Sequence, residues 1–336
     1  MKIFRVGGSC RDEKLGFAPK DFDFVVVGCS GEEEFLRKFP GAEKTGKFFP
    51  VYVINDKEYA FARREWKSGE GHTGFTFSVD PSISLMEDLQ RRDLTINTFA
   101  VDCETGEEFS VPGAGKDLDE LVLRHVSSAF SEDPLRVFRV ARFACKIPGS
   151  VVAKETIDIM KSISIVSLPG ERIWGEMEKS LNTSEPHRFF EVLREAGTLE
   201  KIHPNFQSID VVMNELVDPI MRFASLFINN SVVDTVSICN RLKVPKLFKS
   251  AAMLVAEHFG TFKKGIRNEK MVRAIVSINR SIGYVRFNEL LKVHNCGNTN
   301  FCEIIKVGVP ENERNKSGKE IKILLTSRRL EVLKRC

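Results

Sequence analysis

"PKDFDFVVVG", residues 19–28, sets two aspartates, Asp21 and Asp23, directly ahead of an apolar run at 24–27, Phe24 and three valines. The run reads as a buried strand. Side chains two apart on a strand share a face, so Asp21 and Asp23 project together and Phe22 points the other way. Two like charges held that close repel unless a cation sits between them. The valines supply none, and an oxygen-only donor set favours Mg2+ over zinc. Asp21 and Asp23 are therefore the candidate metal ligands and the candidate catalytic pair. A solvated strand edge would be the plainer reading if the pair stood alone.

It does not stand alone. "VGGSCRDEKLG" at 6–16 is a Gly-Gly turn opening a helix. Gly7 and Gly8 let backbone approach an anion, the helix N-terminus offers free N–H groups, and Arg11 can add a charged fork. A phosphate-friendly turn just upstream of a carboxylate pair describes a site for a nucleoside triphosphate with Mg2+, and nucleotidyl transfer as its reaction.

Around these motifs the first 125 or so residues mix short β-rich runs with helices. "FDFVVVG", "FPVYVIND", "EYAFARR" and "TFAVD" read as strands, and "SGEEEFLRKF" as a helix capped by Ser30. This pattern suggests an α/β layer. From about residue 129 strand signals vanish, and segments such as "DPLRVFRVARFA", "RIWGEMEKSL" and "KSAAMLVAEHF" carry apolar residues at helical spacing. The remainder is expected to be all-α.

Taken together, "VGGSCRD…LG…PKDFDFVVVG" resembles the signature of class II tRNA nucleotidyltransferases, the CCA-adding enzymes of the polymerase-β superfamily, in their γ-proteobacterial form. "RRDLTINTFA" (91–100) resembles the family's ribose-recognition motif, "EDPLRVFRVARFA" (132–144) its base-template motif, and "PGERIWGEMEKSL" (169–181) the helix after it. The resemblance implies a mixed-sheet, polymerase-β-like head at 1–128, a helical neck at 129–190 that selects the base, and a helical body and tail at 191–336 that hold the acceptor arm of tRNA. It implies two Mg2+ ions on Asp21 and Asp23, roughly 3.5–4 Å apart, with Glu58 as a candidate third carboxylate. Gly8, Arg11 and Arg91 would face the nucleotide, and Asp93 and Asn97 its ribose. In the base-template segment, Asp133 and Arg136 lie three apart, neighbours on a helix. An aspartate accepts hydrogen bonds and an arginine donates them. Cytosine and adenine each show an amine donor beside a ring acceptor, whereas uracil and guanine show the reverse. The pair would thus take CTP and ATP without a nucleic-acid template, and Arg139, one turn on, could grip base or phosphate.

Two departures from the family pattern stand out. Ser110 in "FSVPGAGKDL" replaces a usual aspartate, in a segment that the family associates with domain motion. "RFASLFINNSVVD" runs on where relatives carry a His-Asp phosphohydrolase, and no His-Asp dipeptide occurs in the chain, so no phosphohydrolase activity is expected. The full-length segment between "ARREW" and "RRD" favours complete CCA addition over CC-only addition. A-only addition, poly(A) polymerisation and an inactive RNA-binding relative are the other readings. Net charge is only +4, with basic clusters near 91, 136 and the C-terminus, as suits a local RNA contact. No window approaches the roughly 18 uncharged apolar residues of a membrane span. The eight cysteines are scattered without zinc spacing, His294, Cys296 and Cys302 included. A cytoplasmic protein is expected, a monomer or at most a weak dimer.

Overall fold

The computed structural model describes residues 1–19, 21–45, 50–67, 75–78, 80–206, 211–296 and 301–335. Two compact units emerge: 1–168 with 195–198, and 169–194 with 199–336.

The first unit is built on a mixed sheet. In chain order its described strands are β1 (Lys2–Val6), β2 (Asp23–Val27), β3 (Glu43–Thr45), β4 (Val51–Ile54), β5 (Lys57–Phe61), β6 (Arg64–Lys67), β7 (Phe75–Ser78), β8 (Ala100–Asp102), β9 (Glu108–Phe109), β10 (Val122–Leu123) and β11 (Val151–Val152). Seven of them form one sheet in the order β3-β4-β5-β2-β1-β8-β9, while β6 pairs with β7 and β10 with β11. β2 runs parallel to β5 and antiparallel to β1. Its two middle valines, Val25 and Val26, point to opposite faces and both are buried, so the sheet is covered on both sides there. One face packs Val26, Tyr52 and Phe61 against Phe35. Phe35 belongs to the second of two short helices, α1 (Gly8–Lys14) and α2 (Glu32–Lys38).

The unit continues with α3 (Leu85–Gln90), α4 (Ala114–Asp119), α5 (Leu135–Lys146) and α6 (Lys154–Ser162). α3 opens with a capping box, in which Ser84 and Glu87 satisfy each other's backbone N–H.

Several expectations need correction here. The N-cap of α2 is Gly31, not Ser30, whose N–H and hydroxyl both bond to Glu34 instead. β1 lies at the heart of the sheet although "KIFRV" was not among the expected strands. β11 is a short strand beyond 129, where none was expected. The strand expected from residue 49 begins among residues outside the described set.

The second unit holds the helices from α7 (Gly170–Leu181) onward: α8 (His187–Glu195), α9 (Thr198–Ile202), α10 (Pro219–Ser225), α11 (Val232–Leu242), α12 (Lys246–Lys263), α13 (Glu269–Ser281), α14 (Tyr284–Val293), α15 (Cys302–Lys306) and α16 (Gly318–Arg335). The ends of α8 and α9 that fall at 195–198 cluster with the first unit. Trp174 of α7 packs edge-on against Phe223 and Phe248, with ring centroids 5.1 and 4.9 Å away. Arg222 donates to the carbonyls of Leu181 and Thr183 at 2.7 and 2.8 Å, satisfying acceptors that the end of α7 leaves open. α10 passes into α11 through residues 226–231.

Candidate active site

Strand register brings the sequence motifs to one end of the sheet. Val6, the last residue of β1, lies opposite Asp23, the first of β2. The Gly7–Gly8 turn that follows Val6 therefore emerges beside the carboxylate pair. On the other flank Asp23 is in register with Glu58 of β5, and directly paired residues of parallel strands point to one face. Asp21 precedes the strand by two residues and, like Asp23, is exposed. Neither carboxylate has a hydrogen-bond or ion-pair partner among the described residues. Desolvation raises the Asp23 carboxyl pKa most, the charge of Arg92 lowers it, and Asp21 raises it further. Two under-neutralised carboxylates with oxygen donors only are a donor set suited to a divalent cation. Among the described residues, no group of three or more His, Cys, Asp or Glu side chains closes into a metal cage. Asp21 and Asp23 form an open pair, with Glu58 one strand away.

Gly7 has φ +72°, and a Cβ placed there would lie 2.9 Å from Arg92 Nη1. Its N–H donates to the Phe99 carbonyl at 2.9 Å, which ties the turn to the residues ahead of β8. Arg92 is 17% exposed. Its Nη2 reaches Asp88 Oδ2 at 3.2 Å and its Nη1 the Asn97 carbonyl at 3.5 Å, while its buried Nε has no partner among the described residues. Gly7→Ala thus combines left-handed backbone strain with displacement of Arg92. We expect it to cost about 1–3 kcal/mol and to raise the KM for nucleotide. Gly16, with φ +77° and nothing within 4 Å of a Cβ, is the control. If Gly7→Ala and Gly16→Ala leave nucleotide KM equally unchanged, the contact with Arg92 has no functional weight.

Behind this rim runs a buried polar chain. Arg11, 2% exposed, donates from Nε and Nη2 to Asp12 at 2.9 and 2.6 Å and from Nη1 to Asn97 Oδ1, with its guanidinium 4.9 Å from the Phe143 ring centroid. This corrects the expectation of an outstretched fork. All three of its nitrogens are engaged inside the protein, and Arg11 braces α1 against the ribose-recognition segment. Asn97 Nδ2 donates to Asp93 Oδ1 at 2.9 Å, and Asp93 Oδ2 accepts from Arg139 Nε at 2.7 Å. Burial alone would raise the Asp93 carboxyl. Arg139, Asn97 and the Leu94 N–H overcome it and hold that carboxyl well below the usual range. Asp93, Asn97 and Arg139 are thus bonded to one another rather than presented separately to ribose, base or phosphate. Lys146, at the far end of α5, closes the chain by donating to Asp12 at 2.8 Å.

The base-template segment also differs from expectation. Asp133 is extended (φ −110°, ψ 105°) and lies ahead of α5, which starts at Leu135. Pro134 is the reason, since the residue before a proline is pushed out of the helical region. Asp133 Oδ1 accepts from the Leu135 N–H at 3.0 Å. Arg136 donates to the Ala129 carbonyl at 2.7 Å and to the Arg91 carbonyl, so the base-template and ribose segments are joined directly. Arg91 Nε bonds to Asp88 Oδ1 at 2.9 Å. Asp88 and the placement of Arg92 were missed from the sequence, although an acid three and four residues ahead of two arginines is a legible helix-neighbour signal. The loop segment between "ARREW" and "RRD" includes 68–74 and 79, outside the described residues, as does the side chain of Cys302.

A mixed-sheet head with a glycine turn and paired carboxylates at one sheet end defines a nucleotidyltransferase. A family model described as the poly A polymerase head domain matches residues 3–124, and one described as the probable RNA and SrmB-binding site of polymerase A matches 153–209. The CCA-adding enzyme of Coxiella burnetii (strain RSA 331) is 39% identical over 274 residues, covering 78% of this chain and 72% of that one. The chain belongs to the CCA-adding enzyme family. It spans about half (52%) of the multifunctional CCA protein of Vibrio parahaemolyticus, to which 62% of it aligns at 45% identity. A solved CCA-adding enzyme complex with ATP has the same fold, with a TM-score of 0.67 at 18% identity, covering 99% of this chain and 86% of that one.

Proposed function

We propose that this protein adds CCA to the 3′ end of tRNA, from CTP and ATP, without a nucleic-acid template. The observation that carries this reading is the register of β1, β2 and β5, which gathers the Gly7–Gly8 turn, Asp21, Asp23 and Glu58 at one sheet end in a chain of this family. Asp21 and Asp23 are the metal ligands. With Mg2+ bound there, the site supplies Lewis acidity at the attacking 3′-hydroxyl and charge neutralisation at the leaving pyrophosphate. The Gly8 N–H and the outer guanidinium nitrogens of Arg92 receive the triphosphate, and Arg11 sets the turn from behind. Arg91, Asp93 and Asn97 shape the ribose pocket, with Arg139 fixing Asp93.

In this reading 1–128 is the catalytic head, 129–190 the base-selecting neck, and 191–336 the body and tail that hold the acceptor arm by shape and phosphate contacts. No described helix is long and apolar enough to cross a membrane. A monomer working in the cytoplasm is the accompanying proposal.

Asp133 and Arg136 choose the base by one acceptor and one donor. Asp133→Ala is expected to raise UMP and GMP incorporation relative to CMP by more than it slows CMP addition. The lost bond to Leu135 N–H would cost about 1 kcal/mol of stability. Nearest-nucleotide competition assays decide this. A uniform loss of rate with intact selection for C and A would remove Asp133 from base choice.

A further inference from the structure

We propose that Asp88 is a positioning residue of the nucleotide site, acting through Arg91 and Arg92. This rests on the reading of Arg92 as a triphosphate contact. Asp88 is fully buried, at 0% exposure. Its two oxygens are divided between the arginines, with Oδ1 accepting from Arg91 Nε at 2.9 Å and Oδ2 from Arg92 Nη2 at 3.2 Å. Each arginine then has a second tie toward the site. The Arg91 carbonyl accepts from Arg136. Arg92 reaches the Asn97 carbonyl at 3.5 Å and crowds Gly7. One carboxylate therefore sits behind both arginines and fixes the angle of each.

A buried acid that only balanced charge would be served by any nearby cation. Here its geometry is set on both sides. The capping box of Ser84 and Glu87 fixes the first turn of α3, and the Asp88 N–H donates to the Ser84 carbonyl at 3.3 Å. Asp88 is placed by the helix start, and the arginines are placed by Asp88. Loss of that hold should weaken nucleotide binding, which is felt equally in ground and transition states, and so should raise KM more than it lowers kcat.

The test compares Asp88→Asn, Arg92→Lys and the double variant, by steady-state addition of CMP to tRNA lacking CCA, with CTP and tRNA varied separately. Asp88→Asn keeps shape and one acceptor oxygen but sets an amide N–H against a guanidinium. We expect the KM for CTP to rise about tenfold, kcat to change less than threefold, and the KM for tRNA to stay fixed. The double variant should fall short of the product of the single effects, because both remove one contact. An unchanged KM for CTP in Arg92→Lys would overturn the triphosphate reading, and this proposal with it. A raised KM in Arg92→Lys beside an unchanged KM in Asp88→Asn would overturn the role of Asp88 alone. A fall in kcat with both KM values unchanged would mark Asp88 as merely structural. Should Asp88→Asn fail to fold, Asp88→Glu keeps the charge and moves the carboxylate by one methylene. The KM for CTP should then rise severalfold, and an unchanged value would overturn the proposal.

Discussion

Asp23→Ala, and equally Asp21→Ala, is expected to abolish nucleotide addition while tRNA binding stays close to wild type. Asp23 opens β2 and Asp21 lies two residues ahead of it, both without hydrogen-bond partners among the described residues, and Asp23 already feels the charge of Asp21. Their removal takes away the donor set for a cation and little else, because both residues are exposed. The melting temperature should therefore hold or rise slightly as like-charge repulsion is relieved. Single-turnover addition measured in saturating Mg2+ is the check. A residual rate above about a tenth of wild type, against the several kcal/mol that metal stabilisation supplies, would remove the pair from catalysis.

Asp93→Ala should have the second largest effect, and on stability as well as rate. Asp93 is 6% exposed and accepts from Leu94 N–H, Asn97 Nδ2 and Arg139 Nε. Alanine would leave two buried donors unmatched, at about 1–3 kcal/mol each. Arg139, 36% exposed, can turn to water and soften its own loss. A net cost of roughly 2–4 kcal/mol follows. Addition should fall at least about a hundredfold, because α5 loses the Arg139 tie to the segment at 91–100 and keeps only that of Arg136 to the Arg91 carbonyl. The pH dependence has a definite sign. The Asp93 carboxyl is held below its unfolded value of about 3.9, so its contribution is complete above that pH and disappears only as pH falls toward the depressed value. Thermal melts of wild type and variant at neutral pH and near pH 3 should differ widely at the first and less at the second. An unchanged melting temperature at neutral pH would show that the buried chain does not hold the unit together.

The carboxylate pair and the glycine turn were legible because they depend on short-range rules. The apolar run after Asp23 marked the strand that Asp23 opens, with Asp21 two residues ahead, and the Gly-Gly pair marked the turn that opens α1. Partners distant in the chain were not legible. The Arg11–Asn97 bond joins residues 86 apart, and nothing local in "GGSCRDE" distinguishes an arginine that folds inward from one that reaches out. The Asp93–Arg139 pair is of the same kind. Asp133 was assigned to a helix because the apolar spacing of "LRVFRVARFA" was extended backward through Pro134, where the local proline rule should have prevailed. "KIFRV" went unread as a strand because Lys2 and Arg5 interrupt its apolar residues, whereas the valine run of β2, of the same length, is unbroken.

The central claim is that this head builds CCA on tRNA. Its most direct test is to incubate the protein with three tRNA preparations, ending at the discriminator base, at C and at CC, with each nucleotide alone and with CTP and ATP together, and to sequence the 3′ ends. The expected result is CC from CTP alone on the first, one C on the second, one A from ATP on the third, complete CCA with both nucleotides, and nothing from UTP or GTP. Runs of A on any of the three, or a halt at CC in the presence of ATP, would contradict it.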